Sequence, residues 1–574
     1  MIATSRIPIR SGGSWALAMI LLTGCAEEWV ESRDGMSGSE LERIRTIDPL
    51  EFSETEIGET NPDPERITND EGRIERLRRM LEDVDPSSIE VGLDQFRASL
   101  LANNLQLEVA RFDPQIAAAK VRSEYGKLDA TFGTTLLATQ QVQDASSNNE
   151  PLLALNSEYT EAETTLSIPL AIGGSVELTA DLYRYETEYL NTTGEISGTS
   201  DTAFPSNLSA QITLPILEGA GYDANLGPIA IAAYDERISE VQLRSMLSSL
   251  LSSSEQVYWQ LLRSWKSTEI QLQLLKLARQ QVTDTEALAR AGVVADSQKF
   301  RAQLTVEQRQ AGLFEAELDL RRDMRSLKII MNRSDLPLDG DRVVKPSTRP
   351  LLRSFTLDRA KLALIAVENR SELLQAKLEL EQDDMQMRIA QNALLPSLSF
   401  TGSFGLLGIG KDGGRGSIQS MFNDTYPPGW SVGLDLSMPI GNRTAEGEYQ
   451  SAVISRLQTL SKQRELTLQI AQDVYDAVDQ LELTWARLLA YRRAESDARK
   501  NLEAARLLFK SGGSTSLDVA LAIEDLGDAR LSVLDSEITY QIAMINLATA
   551  TGTALGRQAV EIGTGGDQSP SASN

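Results

Sequence analysis

No histidine occurs anywhere in the 574 residues. That absence removes Ser-His-Asp and Cys-His nucleophile systems, His-ligated zinc and the usual near-neutral proton shuttle. Cysteine is used once, at Cys25, so no intramolecular disulfide and no cysteine cluster for zinc or iron–sulfur can form. Basic residues are outnumbered 55 to 82, giving a formal net charge of −27. A nucleic-acid partner is disfavoured, because it needs a basic face to displace phosphate counterions. No cofactor or metal is implied, and the enzyme class is left with acidic pairs such as Asp383-Asp384. Neighbours on a helix point apart, so these read as a solvated face. Past the N-terminus no stretch approaches 18 apolar residues, so any later membrane crossing must use β-strands.

The N-terminus carries an address. Arg6 and Arg10 precede the apolar run Trp15–Leu22, whose eight residues are too few for a spanning helix and suit the h-region of a secretory signal. The run ends in Leu22-Thr23-Gly24-Cys25, which resembles the lipobox of bacterial lipoproteins. There the cysteine sulfur receives diacylglycerol and becomes the first mature residue. An ordinary signal peptide that happens to contain a cysteine accounts for the same run, but the only thiol stands where lipidation needs it. Ala26 and Glu27 follow; in enteric bacteria the absence of Asp at that place implies sorting to the outer membrane. Loss of residues 1–24 removes two arginines and takes the net charge from −27 to −29.

Residues 26–87 are polar, acidic and punctuated by Pro49, Pro62, Pro64 and Pro86, as a tether with some helix at 72–83 would be. From Ile89 long Ala/Leu/Glu/Arg/Gln runs begin, which are strong helix formers. The halves then repeat. Leu214-Pro215-Ile216 recurs as Met438-Pro439-Ile440 at an offset of 224, Val257-Tyr258 as Val474-Tyr475 at 217, and Gly292 as Gly512 at 220. Asn104 matches Asn369 at 265, which places an insertion of 41 residues in the first half between about 140 and 207. A period near 220 is too long for a solenoid unit, so the chain is a duplicated domain folding as one body.

The long runs carry seven-residue spacing. Tyr258, Trp265 and Leu272 form one seam, Leu261, Leu275 and Val282 its companion with Thr268 breaking it, and Val474, Leu481 and Leu488 repeat in half two beside Val478 and Trp485. Such a stripe buries in coiled-coil fashion. Between Asn225 and Ala291 only Gly227-Pro228, near the start, interrupts, so about 65 residues at ~1.5 Å each predict a helix on the order of 100 Å. Two Gly/Ser/Thr-rich stretches alternate instead. Leu398, Phe400, Phe404 and Leu406 lie opposite Ser397, Ser399, Thr401 and Ser403; Val432, Leu434, Leu436 and Met438 lie opposite Ser431, Gly433, Asp435 and Ser437. Half one offers Leu208–Leu214 and a weaker Phe132–Thr139. Apolar on one face and small-polar on the other is the transmembrane-barrel pattern, though one such strand alone also fits a soluble antiparallel sheet. The insertion adds a further pair, Thr164–Leu170 and Ser175–Tyr183, around Ile172-Gly173-Gly174.

This order of helix, strand, strand, helix, twice over behind a lipidated N-terminus, resembles the bacterial outer-membrane efflux and secretion channel family (TolC-like outer membrane factors). Phe355-Thr356-Leu357 through Ala366–Leu373 to Ala393-Leu394-Leu395-Pro396 is similar to the family's entry into its barrel. Met438-Pro439-Ile440-Gly441-Asn442-Arg443 is similar to its strand-to-helix exit, with Leu214–Gly219 as the half-one counterpart. Gly512–Val519 and the helix after it resemble the periplasmic hairpin tip. The resemblance covers residues 88–553 and implies a homotrimer, in which four strands per chain close a 12-stranded barrel above a long periplasmic α-helical tunnel. Four strands cannot close alone, and open edges are not tolerated in lipid. The few aromatics, 5% of the chain, suit a hollow tube with little thick core. The extra pair is expected as an outer hairpin or extended loop, and it leaves the strand count per chain open.

The fold class expected is therefore mainly α with transmembrane β. Its parts are a signal peptide (1–24), a lipid-anchored acidic tether (25–87), a first channel repeat (88–335, extra hairpin at about 142–206), a linker (336–354), a second repeat (355–556) and a disordered tail (557–574). By resemblance, Asp296 and Asp518 would ring a periplasmic aperture; each can equally serve its own helix N-terminus. The family's basic latch partner is not evident, since Ser514 and Thr515 stand in its place. Tips Gly292-Val293 and Gly512-Gly513 would contact a periplasmic adaptor protein, and Pro215, Pro439 and Gly441 would turn barrel into helix. The expected partners are that adaptor, an inner-membrane pump of RND, ABC or MFS type, and outer-membrane lipid. A lipid-anchored coiled-coil stalk without transport is the alternative, and it has no need of strand blocks in both halves.

Overall fold

A computed structural model describes residues 64–82, 88–144, 154–190, 196–199, 202–340, 342–410, 413–423 and 427–557. Cys25, the signal and most of the tether, and the tail from 558 lie outside the described residues. Of the unit formed by residues 1–75, the described part is the opening of helix α1 (Pro64–Leu81), and all other elements belong to the second unit.

The first repeat opens with β1 (Ser88–Val91), α2 (Leu93–Asn103), α3 (Leu105–Ala110) and α4 (Phe112–Tyr125). Five strands follow: β2 (Thr131–Asp144), β3 (Ala154–Pro169), β4 (Ser175–Leu190), short β5 (Ile196–Thr199) and β6 (Phe204–Pro215). Two long helices complete it, α5 (Tyr222–Arg290, 69 residues) and α6 (Ser297–Met331, 35 residues). The second repeat opens with β7 (Val343–Pro346), α7 (Arg359–Asn369) and α8 (Ser371–Asn392), then β8 (Ser397–Gly410), α9 (Gly414–Met421) and β9 (Gly429–Ser437). Helices α10 (Arg443–Lys510, 68 residues) and α11 (Ser516–Ala550, 35 residues) close it, with α12 (Ala554–Arg557) behind. At ~1.5 Å per residue, α5 and α10 each run about 100 Å.

The duplication is exact enough to correct its own alignment. Burial along α5 and α10 matches at an offset of 220: Leu250 with Ile470, Tyr258 with Val478, Leu261 with Leu481, Thr268 with Leu488. Matching Val257-Tyr258 to Val474-Tyr475 at 217 fails, because Tyr258 is fully buried while Tyr475 is 42% exposed. Two identical letters fell in register by chance, and a three-residue slip turns a side chain by about 60° around the helix, enough here to take it off the buried seam. The helix break between α2 and α3 comes at Asn104 and that between α7 and α8 at Arg370, both extended (ψ 122 and 123). The counterpart of Asn104 is therefore Arg370 rather than Asn369.

The two small strands β1 and β7 pair in parallel, Ile89 with Val344, where the repeats begin. They sit on the largest core cluster, which includes Phe96, Tyr258, Trp259 and Trp265. The Tyr258 hydroxyl donates to the Val91 carbonyl (2.9 Å) and accepts from the Thr348 amide (3.1 Å), tying the 336–354 linker into that core. Beneath it Glu255, nearly inaccessible, accepts from Arg97 Nε at 2.6 Å.

The main sheet is wholly antiparallel, in the order β2-β3-β4-β6-β8-β9, with β5 pairing only β4. The extra pair is thus neither an outer hairpin nor a loop. It stands inside the sheet, hydrogen-bonded to β2 on one side and β6 on the other. Strand β3 also begins ten residues before the predicted Thr164. Its N-terminal half alternates Glu158, Thr160 and Ala162 against Tyr159, Glu161 and Glu163, with too few apolar residues to signal a strand.

Candidate functional site at the hairpin tips and the sheet shoulder

The tips of the two helical hairpins are built alike. Helix α5 ends with Gly292 in the left-handed region (φ 72) and α10 with Gly512 (φ 77). In each, the next residue's amide reaches back five residues: Val293 to the Leu288 carbonyl (2.9 Å), Gly513 to that of Leu508 (2.8 Å). The glycine amides donate to Ala289 and Phe509 (both 3.0 Å). This is the Schellman closure, which needs a residue without Cβ strain at the positive φ. The tips adjoin, since a Cβ on Gly512 would stand 3.5 Å from Val293 Cγ1. Leu274, Phe509, Val519 and Ile523 form one buried cluster behind them.

The two aspartates do not occupy equivalent places. Asp296 is the N-cap of α6, and its carboxylate pairs with Lys299 at 2.8 Å instead of capping an amide. Asp518 is the third residue of α11, whose N-cap is Thr515. Its carboxylate accepts from the Thr515 amide (2.7 Å) and hydroxyl (2.8 Å), while Thr515 Oγ1 accepts from the Asp518 amide (3.3 Å). That is a reciprocal capping box. Both carboxyls are held below the usual aspartate range, Asp296 chiefly by its Lys299 hydrogen bond and Asp518 chiefly by the Thr515 amide. Within one chain both serve helix starts, and both carry full negative charge at neutral pH on an exposed tip.

At the other end lies the shoulder where sheet becomes helix. Pro215 ends β6, Gly219 and Gly221 follow at φ 77 and 93, and α5 begins. In half two Pro439 and Gly441 (φ 101) precede α10. Three asparagines that the sequence did not signal hold this turn. The Gly219 amide donates to Asn392 Oδ1 (2.7 Å), and Asn392 Nδ2 donates to Ala220 (3.2 Å). Asn225 Nδ2 donates to the carbonyls of Gly219 and Gly221 at 2.7 and 2.8 Å, and Asn442 Nδ2 to Leu394 at 3.2 Å. Each closes a contact tens to hundreds of residues away in sequence or caps a local turn, so no spacing rule points to it.

The sheet has one apolar face. Leu166, Leu178, Leu208, Leu406, Phe404 and Trp430 lie on it, with Leu166 paired to Leu178, Leu208 to Leu406 and Phe404 to Trp430, and Trp430 is 76% exposed. The opposite face carries Glu163, Asp181, Asn207, Gln211 and Ser403. Among the described residues of one chain β2 and β9 stand at the two edges of this sheet without a further strand beside them. Among the described residues no helix is long and apolar enough to cross a membrane, and no acidic or sulfur cluster could hold a metal ion. Further apolar side chains stand exposed near the tips: Phe300, Leu304, Leu507, Leu508 and Leu521.

The outer membrane efflux protein family model matches residues 363–553, the second repeat. The chain is 27% identical over 209 residues to the outer membrane protein TolC of Salmonella enteritidis, covering 35% of this chain and 41% of that one. The chain thus spans about two fifths of the TolC relatives it matches. Among solved structures it resembles CusC (TM-score 0.58, 16% identity, 80% of this chain and 92% of that one). It also resembles the Campylobacter jejuni CmeC outer membrane channel (TM-score 0.57, 14% identity, 89% and 94%). At such identities these likenesses show the fold, and that fold runs through both repeats.

Proposed function

We propose that the chain is a TolC-like outer-membrane efflux protein, the outer-membrane exit channel of a tripartite efflux pump or type I secretion system, because its second repeat matches that family's model and its fold follows the family's through both repeats. Cargo enters from a periplasmic adaptor and an inner-membrane pump, and leaves through the barrel. The observation that carries this reading is the sheet: apolar on one face, polar on the other, and open at both edges. Exposed edges have no place in hydrocarbon, so copies of the chain must pair β9 with β2 around a ring. Helix α10 adds a second reason. It exposes Ile454, Leu468 and Tyr475, spaced in multiples of seven, a stripe suited to a neighbouring helix.

The homotrimer and the partner types stand on the family likeness, and lipidation at Cys25 stands on the lipobox Leu22-Thr23-Gly24-Cys25 alone. The tips at Gly292-Val293 and Gly512-Gly513, flanked by exposed Phe300 and Leu508, are the surface for the adaptor's helical hairpin. Asp296 and Asp518, fully ionised and repeated by each copy, would raise the negative potential at the periplasmic neck and draw cations.

Purified protein reconstituted in planar bilayers tests the reading: discrete channel currents are expected, together with a trimer on cross-linking. A protein that remains soluble without lipid and passes no current would be a stalk instead. For the neck, Asp296→Ala with Asp518→Ala should weaken block by divalent cations added from the tunnel side; unchanged block removes the aspartates from the aperture.

A further inference from the structure

The inserted hairpin lies within the wall, and this changes what the wall encloses. Strands β2 and β3 pair over fourteen residues, Thr131 with Ser167 through Asp144 with Ala154, and β3 and β4 over sixteen. Strand β4 then pairs β6 from Ser175–Thr213 to Leu182–Ser206, and β6 pairs β8 from Phe204–Gly410 to Pro215–Ser399. Each ladder spans eight or more residues, close to the 9–11 that cross a bilayer. The faces agree as well as the backbones. Ala162, Leu166 and Ile168 of β3 and Val176, Leu178 and Leu182 of β4 continue the apolar face set by Leu136 and Leu208 on either side.

Both ends of the hairpin are also built into the body. Its turn wedges under the shoulder: the Gly221 amide donates to the Ile172 carbonyl (2.9 Å), and Pro215 covers Gly173 and Gly174. Both glycines have positive φ (100 and 80), and a side chain on Gly174 would run into the Thr213 carbonyl. At the far end α9 lies on Leu182 of the hairpin and on β6 and β8 together. There Ser206 and Ser417 share a buried hydrogen bond of 2.7 Å, and a Cβ on Gly414 would meet Leu182. An insertion of two strands preserves the alternation of direction, so β9 still meets the next copy's β2 antiparallel.

We infer that the assembled channel closes with six strands per chain, an 18-stranded barrel. This rests on the trimer of the preceding section. At a strand spacing of ~4.8 Å and a tilt of ~40°, twelve strands make a wall about 24 Å across and eighteen about 36 Å. After side chains, the clear bore rises from roughly 14 Å to roughly 26 Å. The barrel therefore does not select cargo by size; it passes bulky cargo, a helical-hairpin-sized polypeptide included, and selection falls to the periplasmic neck.

Paired cysteines in the intact, membrane-embedded trimer test the ladder. F132C with L166C (β2–β3) and A180C with L208C (β4–β6) should each oxidise to a disulfide recovered by peptide mass spectrometry. T134C with I212C (β2–β6) should not, because two strands separate them, a gap of about 14 Å. Disulfide in the third pair, or its absence from the first two, overturns the inference. Polyethylene glycols of graded size, added from the extracellular side, then measure the bore. The size excluded should be about twice in diameter that of a variant lacking residues 145–200. Equal cut-offs with the cysteine ladder intact would overturn the widening. Loss of trimer and current from the parent protein would instead refute the channel reading itself.

Discussion

The two repeats agree in their helices and differ in their strands. The hairpin helices run 69 and 35 residues in the first and 68 and 35 in the second. Between the shorter helix and the long one, half two has two strands of the main sheet and half one has four, plus β5. Helix length is not free, because both hairpins must leave one shoulder and meet at one pair of tips, where Val293 touches Gly512. Strand number is free in steps of two, because each added hairpin satisfies its own backbone groups and leaves the outer edges unchanged. Half one also has the heavier core: Tyr258, Trp259 and Trp265 where half two presents Val478, Asp479 and Trp485.

The difference can be broken at several points. The largest effect is expected at Arg97→Ala, which takes the Arg97 guanidinium away from buried Glu255; the positions corresponding to this pair in half two carry Ala363 and Tyr475. A loss of about 3 kcal/mol in denaturant unfolding is expected, and a loss under ~1 would show that the other contacts of Glu255 hold its charge without Arg97. Next come Leu261→Ala and its counterpart Leu481→Ala, each costing about 2–4 kcal/mol. Similar values support the 220-residue register, whereas a negligible cost at Leu481 would refute it.

Gly174→Val strikes the inserted hairpin alone. The strained φ and the clash with Thr213 should cost about 2–4 kcal/mol and lower conductance while leaving helix content intact. Neutralising the hairpin's polar face, with Glu161, Glu163 and Glu177 changed to Gln and Asp181 to Asn, should reduce cation preference measured as reversal potential in a salt gradient. Unchanged preference would place those carboxylates outside the lumen.

The smallest effects lie at the tips. Thr515→Ala removes one capping box at about 1 kcal/mol, read by hydrogen exchange of the first turn of α11. Acid tests the same pairs. The folded carboxyls of Asp296 and Asp518 titrate below the unfolded value of about 3.9, so their contribution is complete above that pH. It is lost as pH falls through the lower folded values. Protection at the tips should therefore hold at pH 5 and fade only below about 4; fading already at pH 5 would exclude these two groups as the cause.

Much of this was legible in order. Seven-residue seams at Val474, Leu481 and Leu488 follow from helical period and became buried contacts. The alternation in Ser397–Leu406 became β8, and Gly292 and Gly512 became the two left-handed closures, because only glycine relieves that φ without strain. The reading slipped where identity of letters replaced burial, at Tyr475 and at Asn369. It slipped again over 154–163, where glutamates on the polar face mask a strand that a barrel wall makes acceptable.

By itself the sequence determined the duplication, the helix lengths, the strand faces and the sites of the sharp turns, since each depends on period or on a residue's own backbone freedom. Only the tertiary structure decided that Asp296 and Asp518 serve different helix positions, that Asn225, Asn392 and Asn442 close the shoulder, and that the inserted hairpin stands between β2 and β6. Those are pairings between distant segments. Backbone hydrogen bonds carry no residue code, so the neighbour a strand takes is set by what the rest of the chain leaves open.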